Sequence, residues 1–361
     1  MNTVRNRWLL FWSLAAVWLL YAGGCRPSDP EPATPPAPGY ELTVPRNFPA
    51  PKFTFGENPI TKDGVELGRF LFFDPRLSSS GTIACGTCHR QLFAFADHGH
   101  DKSHGVNDRR GERNTPALQN LAFMPDFMWD GGVTHIDFSP LNAIQNPAEM
   151  DETVASILDK LKNTPAYKPK FRAAFGNDSI TSQRMLRALS QFMGLMVSSN
   201  SKYDNYVRGE NGIALNGSET AGLRLFQQKC ASCHATDLFT DHSFRNNGLD
   251  ATPADLGRER ITNNPADRGK FRVPSLRNVE RTSPYMHDGR FVTLNDVLNH
   301  YASEVKDSPT LDPLLKQNGR LGIPLTAQEK QDIIAFLKTL TDPSFLVDKR
   351  FADPIGTANQ R

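Results

Sequence analysis

Cys85-Gly86-Thr87-Cys88-His89 and Cys230-Ala231-Ser232-Cys233-His234 are two copies of one five-residue pattern, Cys-x-x-Cys-His. Cysteines at i and i+3 lie on the same side of one helical turn, so both thiols of a copy can add to the two vinyl groups of a single haem. The next residue then offers an imidazole to the iron. Each copy reads as a covalent anchor, Cys85 with Cys88 and Cys230 with Cys233, followed by an axial ligand, His89 or His234. A zinc ribbon also uses Cys-x-x-Cys pairs, but its pairs lie roughly 15–20 residues apart and need no histidine after the second cysteine. A structural disulfide within each pair would leave both histidines unexplained. Two covalently bound haem c groups are therefore the expected cofactors.

Working outward, the 361 residues suffice for two or three domains, and 39% apolar with 22% charged residues is the composition of a folded chain. A net charge of +2, from 41 basic against 39 acidic residues, supplies no basic field for a polyanion, so no nucleic-acid partner is expected. The cysteines number five, and the two motifs use four of them. The fifth, Cys25, ends a segment in which Arg5 and Arg7 precede an apolar run from Trp8 to Tyr21 and the small residues Ala22, Gly23 and Gly24. That is the layout of a bacterial export signal, and the run is shorter than the roughly 20 residues of a spanning helix. Small residues before a cysteine resemble a lipoprotein processing site, although Ala22 stands where leucine is usual. Residues 1–25 are thus expected to be a signal of the lipoprotein type, leaving a periplasmic protein anchored by lipid at Cys25 and touching the membrane only there. Simple export or an uncleaved anchor are the alternatives. Six prolines between Arg26 and Gly39 make residues 26–45 an extended tether.

Beyond Pro45 the apolar spacing is helical. Val154, Ile157, Leu158 and Leu161 fall on one face, and Met185, Leu186, Leu189, Phe192, Met193 and Met196 repeat the pattern as core positions. Thr326 and Glu329 form a capping-box pair ahead of Ile333, Ile334, Leu337 and Leu340. Alternating strand patterns are scarce, and 26 glycines with 26 prolines put long irregular loops between helices. A mainly α fold with two similar haem domains is expected, their boundary in Tyr203 to Asn216, which reads as loop.

Together the stretches LGRFLFFDPRLSSSGTIACGTCH, RNTPALQN, NPAEM, VPSLRNVERTSPYMHDG and AFLKTLTD resemble the bacterial di-haem cytochrome c peroxidases and their relative MauG, the tryptophan-modifying enzyme of methylamine dehydrogenase maturation. The resemblance runs from about Thr61 to Asp342. It implies two cytochrome c-like domains: a peroxidatic haem domain over 46–205, an electron-transfer haem domain over 206–345, and a tail over 346–361. It makes Glu149, in Asn146-Pro147-Ala148-Glu149-Met150, the distal acid–base group that would take a proton from one peroxide oxygen and deliver it to the other. Ten residues earlier this chain has Ser139 where peroxidases of the family carry glutamine. Many of them also have a histidine that caps the resting peroxidatic iron. The corresponding region here holds Val106 and Asn107, with His98, His100 and His104 nearby and read as solvated loop residues, so a site needing no reductive activation is expected.

For the second haem, Met286 in Pro284-Tyr285-Met286-His287-Asp288-Gly289 is an obvious sixth ligand from its chemistry, but the resemblance points to Tyr301, where peroxidases have methionine and MauG has tyrosine. Packing of Tyr301 in the core, with His300 as ligand or an open site, is the competing reading. Trp129, in Phe127-Met128-Trp129-Asp130-Gly131-Gly132, matches the family's inter-haem tryptophan, a relay, and Asn114, Thr282 and Pro284 match its oxygen ligands for Ca²⁺. The function implied is reduction of hydrogen peroxide with electrons from a small donor cytochrome or similar redox protein. The alternatives are a MauG-like oxidase acting on a protein or organic substrate through a bis-Fe(IV) state, and a di-haem electron carrier without catalysis.

Overall fold

In this computed structural model, which describes residues 39–356, the chain is mostly helical, and its strands are two short antiparallel pairs, Phe244–Arg245 with Phe271–Arg272 and Lys316–Gln317 with Arg320–Leu321. The export signal, Cys25 and the tether up to residue 38 lie outside the described residues. No helix among the described residues is long and apolar enough to cross a membrane.

The same motif is built twice. Helix Lys62–Phe72 packs on Ser182–Gly194, and helix Gly217–Lys229 packs on Ala327–Lys338. Both crossings require a glycine for close approach. A Cβ on Gly68 would land in the carbonyl of Ala188 and against Phe192, and a Cβ on Gly222 would land in the carbonyl of Asp332 and against Phe336. Met185, Leu186, Leu189, Phe192, Met193 and Met196 are all buried in the first core, as their spacing indicates. The second core gathers Leu225, Phe226, Phe239, Ile333, Phe336 and Leu337, and the Thr326 and Glu329 capping box opens its last long helix. Residues in the expected tail return to the first core, where Phe351 is buried beside Phe95 and Phe192.

One segment differs from its reading. Lys202–Arg208, which overlaps the start of the stretch expected to be loop, is a helix capped by Ser201 and Asp204 and closed by Gly209 at φ 65°. Two turns flanked by Asn and Gly are too short for a hydrophobic period to register. Its Asp204 is fully buried and receives both terminal nitrogens of the fully buried Arg277, at 2.8 and 2.7 Å. Arg277 Nε donates to the Asp237 carbonyl at 2.7 Å, and the guanidinium lies 4.3 Å from the Phe48 ring centre. Asn278 Nδ2 donates to Ser198 Oγ at 2.9 Å, while Asn278 Oδ1 accepts from the Asp342 amide at 2.7 Å. This network joins the stretch after the first core to the second core.

A buried pair of this kind is expensive to break from one side. Arg277→Met leaves buried Asp204 with only the more distant Arg208, at 3.9 Å, as a cation and is expected to cost about 3–5 kcal/mol. The loss should appear as a lower denaturant midpoint at unchanged slope. An unshifted midpoint would mean that Asp204 finds water or another donor.

Candidate functional site

Each Cys-x-x-Cys-His copy forms one turn. The His89 amide donates to the Cys85 carbonyl at 2.9 Å and the His234 amide to the Cys230 carbonyl at 3.0 Å. The chain then bends back through left-handed residues, Ala94 and Phe95 at φ 54° and 60° in one copy, Thr236 and Phe239 at 59° and 56° in the other. The bend aims a backbone carbonyl at each imidazole: Phe95 O lies 2.6 Å from His89 Nδ1, and Phe239 O lies 3.1 Å from His234 Nδ1. A carbonyl can only accept, so Nδ1 carries the proton and Nε2 keeps its lone pair for a metal. Burial lowers the pKa of both rings, which favours the neutral, ligating form. Burial also pushes the Cys85 and Cys230 thiols up to about 12. Two thiols beside a pre-oriented neutral imidazole are the side chains that a covalent haem requires.

Glu149 sits on the turn that follows helix Ser139–Gln145. Its backbone is held from one side by the histidine-bearing loop: the Val106 amide donates to its carbonyl at 2.8 Å, and Gly105 approaches so closely that a Cβ would strike that carbonyl and the Cα. Asn146 Nδ2 donates to Glu149 Oε1 at 2.7 Å, and Oε2 has no hydrogen bond among the described residues. Burial raises the pKa of this carboxyl, and the Asn146 bond opposes the rise only in part. The charge of Glu149 is felt at Cys85, which puts it beside the first motif. Asn146 and Gly105 are contributors that sequence reading missed, although Asn146 stands inside the quoted NPAEM stretch.

The seam between the halves carries Trp129. Its indole N–H donates to the Asn114 carbonyl at 2.8 Å, and its own carbonyl accepts from the Arg272 amide at 2.8 Å. In return the Asn114 amide donates to the His287 carbonyl at 2.7 Å. Arg113 donates to Asp130 at 2.6 Å and holds Asp255 in a two-pronged pair at 2.6 and 2.8 Å. Burial of Asp255 works against its charge, but the Arg113 guanidinium outweighs it and holds the carboxyl at about 2. Asn114 is buried and donates its Nδ2 to the Asp101 carbonyl at 3.1 Å. Thr282 and Pro284 flank Ser283, whose carbonyl is bonded to His98 Nδ1 at 3.2 Å.

Around the second motif, Tyr301 lies in a π-helical turn, His300–Glu304, that continues helix Leu294–Asn299. Burial raises the Tyr301 phenol to about 12, opposed by a hydrogen bond with Asn247, and the proximity of Cys233 and Cys230 raises it further. His300 is buried with Nε2 at 3.0 Å from the Asn247 carbonyl, and Met286 Sδ accepts from Asn247 Nδ2 at 3.3 Å. Of the loop histidines, His98 stacks on Phe93 at 4.3 Å, His104 Nδ1 meets Asp108 at 2.7 Å, and His100 is exposed.

Comparison with known proteins agrees with this architecture. Residues 62–212 match the family model described as di-haem cytochrome c peroxidase, and residues 219–341 match the cytochrome c model. The methylamine utilization protein MauG of Methylorubrum extorquens is 36% identical over 301 residues, covering 82% of each chain. The cytochrome c551 peroxidase of Nitrosomonas europaea is 34% identical over 291 residues, 78% of this chain and 81% of that one. The crystal structure of a MauG-like protein associated with microbial copper homeostasis superposes with a TM-score of 0.78 at 33% identity, covering 87% of this chain and 99% of that chain. Two pre-oriented haem-binding turns, a mostly helical fold and relatives of both kinds together make the chain a member of the di-haem cytochrome c peroxidase and MauG family, oxidoreductases of the peroxidase type that carry covalently bound haem c.

Proposed function

We propose that the protein reduces hydrogen peroxide to water at the centre built on Cys85, Cys88 and His89, with electrons arriving through the centre built on Cys230, Cys233 and His234. Haem iron on Nε2 of His89 supplies the redox chemistry, and the polypeptide supplies position and protons. The observation that carries the reading is Glu149: a carboxyl raised by burial, fixed through Oε1 and through its backbone, with Oε2 left for a proton. In the balanced reaction one peroxide takes two electrons and two protons and yields two waters. Glu149 Oε2 takes the proton from one peroxide oxygen and returns it to the other, so that water leaves. Trp129, held at its indole N–H and its carbonyl, is the relay between the centres. A small cytochrome or similar redox protein is the proposed donor, as the names of the peroxidase relatives suggest.

The same proposal includes Ca²⁺ on oxygens of Asn114, Thr282 and Pro284. No group of three or more His, Cys, Asp or Glu suited to a metal exists among the described residues, so neutral amide and carbonyl oxygens would make up the protein's share. It also includes export with lipid at Cys25, which rests on residues 1–25 alone.

Tyr301 favours a second reading, a MauG-like oxidation of a protein or organic substrate. Its phenol lies within electrostatic reach of both second-motif cysteines, whereas the adjacent His300 spends Nε2 on Asn247. A phenolate ligand would stabilise the oxidised second centre, and Ser139 replaces the peroxidase glutamine. The MauG relative and the MauG-like structure lend it support.

Three measurements test these readings. Glu149→Gln is expected to lower peroxide turnover by about 10²–10⁴-fold. The wild-type rate should fall as pH drops, because the proton acceptor must be ionised, with its midpoint above the ordinary 4.5, and the variant should lose that limb. Undiminished turnover would remove Glu149 from the chemistry. Tyr301→Phe should alter the absorption and magnetic resonance of the second haem alone, and identical spectra would free Tyr301 from ligation. In stopped flow, peroxide reduction is expected to consume two reduced cytochromes per peroxide. A long-lived oxidised protein that ignores the cytochrome would favour the oxidase.

A further inference from the structure

Arg69 Nε, Arg90 Nε and His242 Nδ1 are buried without a hydrogen-bond partner among the described residues, and His242 alone of these stands beside a buried guanidinium that has no ion pair, that of Arg272. Arg272 is 7% exposed, in the strand Phe271–Arg272 that pairs with Phe244–Arg245. Its peptide N–H holds Trp129, but its guanidinium has only a long bond from Nε to the Met128 carbonyl, at 3.4 Å, and makes no ion pair among the described residues. Other shielded arginines each have a carboxylate: Arg277 has Asp204, Arg113 has Asp130 and Asp255, and Arg245 has Asp241 and Asp312. Near Arg272 lies His242, whose Nδ1 is buried without a partner. Burial first, then the positive charges of Arg272 and Lys52, lower the His242 ring to about 4. Asp126 is the carboxylate that Arg272 feels, and Asp241 is already taken by Arg245 and Ser243. Burying a cation beside an unpaired donor is unfavourable unless an anion completes the site.

We propose that Arg272 and His242 together hold a carboxylate of bound haem, a propionate side chain, in the wall of the second haem centre beside Trp129. The location argues for this source. His242 stands on the loop that leaves His234 and Phe239, and the strand bearing Arg272 continues into Val273, which receives Thr240 Oγ1 at 2.6 Å, and Pro274, whose backbone faces the His234 ring. A covalently bound haem brings its two carboxylates with every chain, and one of them at a fixed place in that wall would complete the site. Neutral His242 donates from Nδ1, and Arg272 supplies the charge. The inference rests on the haem reading, and it sets a fixed negative charge against the peptide of the proposed relay.

The test uses full-length holoprotein and the variants Arg272→Met, Arg272→Lys and His242→Leu. Covalent haem per chain is measured by mass spectrometry, and the potential of each haem by spectroelectrochemistry across neutral pH. All are expected to carry two haems. Removing a cation favours the oxidised haem, so the second-haem potential should fall in Arg272→Met. The less firmly held propionate should also titrate at higher pH, making a flat potential slope with pH. Arg272→Lys should recover most of the wild-type profile, and His242→Leu should move in the direction of Arg272→Met by less. Unchanged potentials and pH profiles in Arg272→Met with two haems would overturn the proposal. If that variant does not fold, His242→Leu decides by the same criterion. A wild-type potential that responds to acetate or phosphate at fixed ionic strength would identify a dissociable anion instead and overturn it equally. Fewer than two covalent haems in the wild type would overturn the haem reading itself, a different failure.

Discussion

Two backbone hydrogen bonds cross the seam in opposite senses, from the Asn114 amide to the His287 carbonyl at 2.7 Å and from the Arg272 amide to the Trp129 carbonyl at 2.8 Å. They are one interaction made twice. Asn114-Thr115-Pro116-Ala117-Leu118-Gln119-Asn120 and Arg272-Val273-Pro274-Ser275-Leu276-Arg277-Asn278 occupy the same place in the two halves, and each is followed at the same distance by Phe127-Met128-Trp129-Asp130-Gly131 or Tyr285-Met286-His287-Asp288-Gly289. Both turns close with the same antiparallel bridge, Phe127 to Val133 and Tyr285 to Phe291. Each half therefore clamps the turn of the other. Trp129 gains most from this arrangement, since its indole is tied to its own half and its peptide to the opposite one. A group fixed from two bodies can shift only if both do, which is what a relay between two centres needs.

The haem-binding turns depend on a similar economy. One left-handed bend supplies the carbonyl that fixes the imidazole tautomer, and the burial that favours the neutral ring also raises the Cys85 and Cys230 thiols. The hydrogen-bond partner at each motif histidine is a backbone carbonyl rather than a charged side chain. The charges are placed at the seam instead, where Arg113 spans Asp130 of one half and Asp255 of the other.

Much of this could be read from the sequence because it depends on short-range spacing. Two Cys-x-x-Cys-His copies, a methionine-rich helical face and a Thr326–Glu329 cap are each complete within a few turns, and all three take the expected form. The resemblance located Glu149, Trp129 and Tyr301, but their settings come from distant residues. Gly105 meets Glu149 across a loop, Arg272 meets Trp129 across the seam, and Phe351, among charged neighbours with no apolar period, returns to the first core. His242 and Arg272 belong to no common motif. The one available signal was the internal repeat, since aligning RNTPALQN with FRVPSLRN sets Asn114 against Arg272 and Trp129 against His287.

The proposed function rests on the places where the repeat is broken. Gln119 becomes Arg277, the buried cation that fastens the second core to Asp204, and Asn114 becomes Arg272, a cation where the first half offers an amide oxygen. Downstream of the shared Asp-Gly turn, each half runs into a short helix, Ser139–Gln145 or Leu294–Asn299. The first helix releases the chain into a tight turn bearing a carboxyl that can exchange protons. The second winds on into a π turn bearing a phenol, and such turns are frequent at functional sites. Burial raises both groups, yet with opposite consequences. A raised carboxyl titrates nearer to neutral pH, where it can both accept and return a proton. A raised phenol keeps its proton unless a metal displaces it. One scaffold thus presents a raised carboxyl beside the first motif and a raised phenol beside the second, so the proposed roles of proton carrier and ligand rest on the few positions at which the two halves differ.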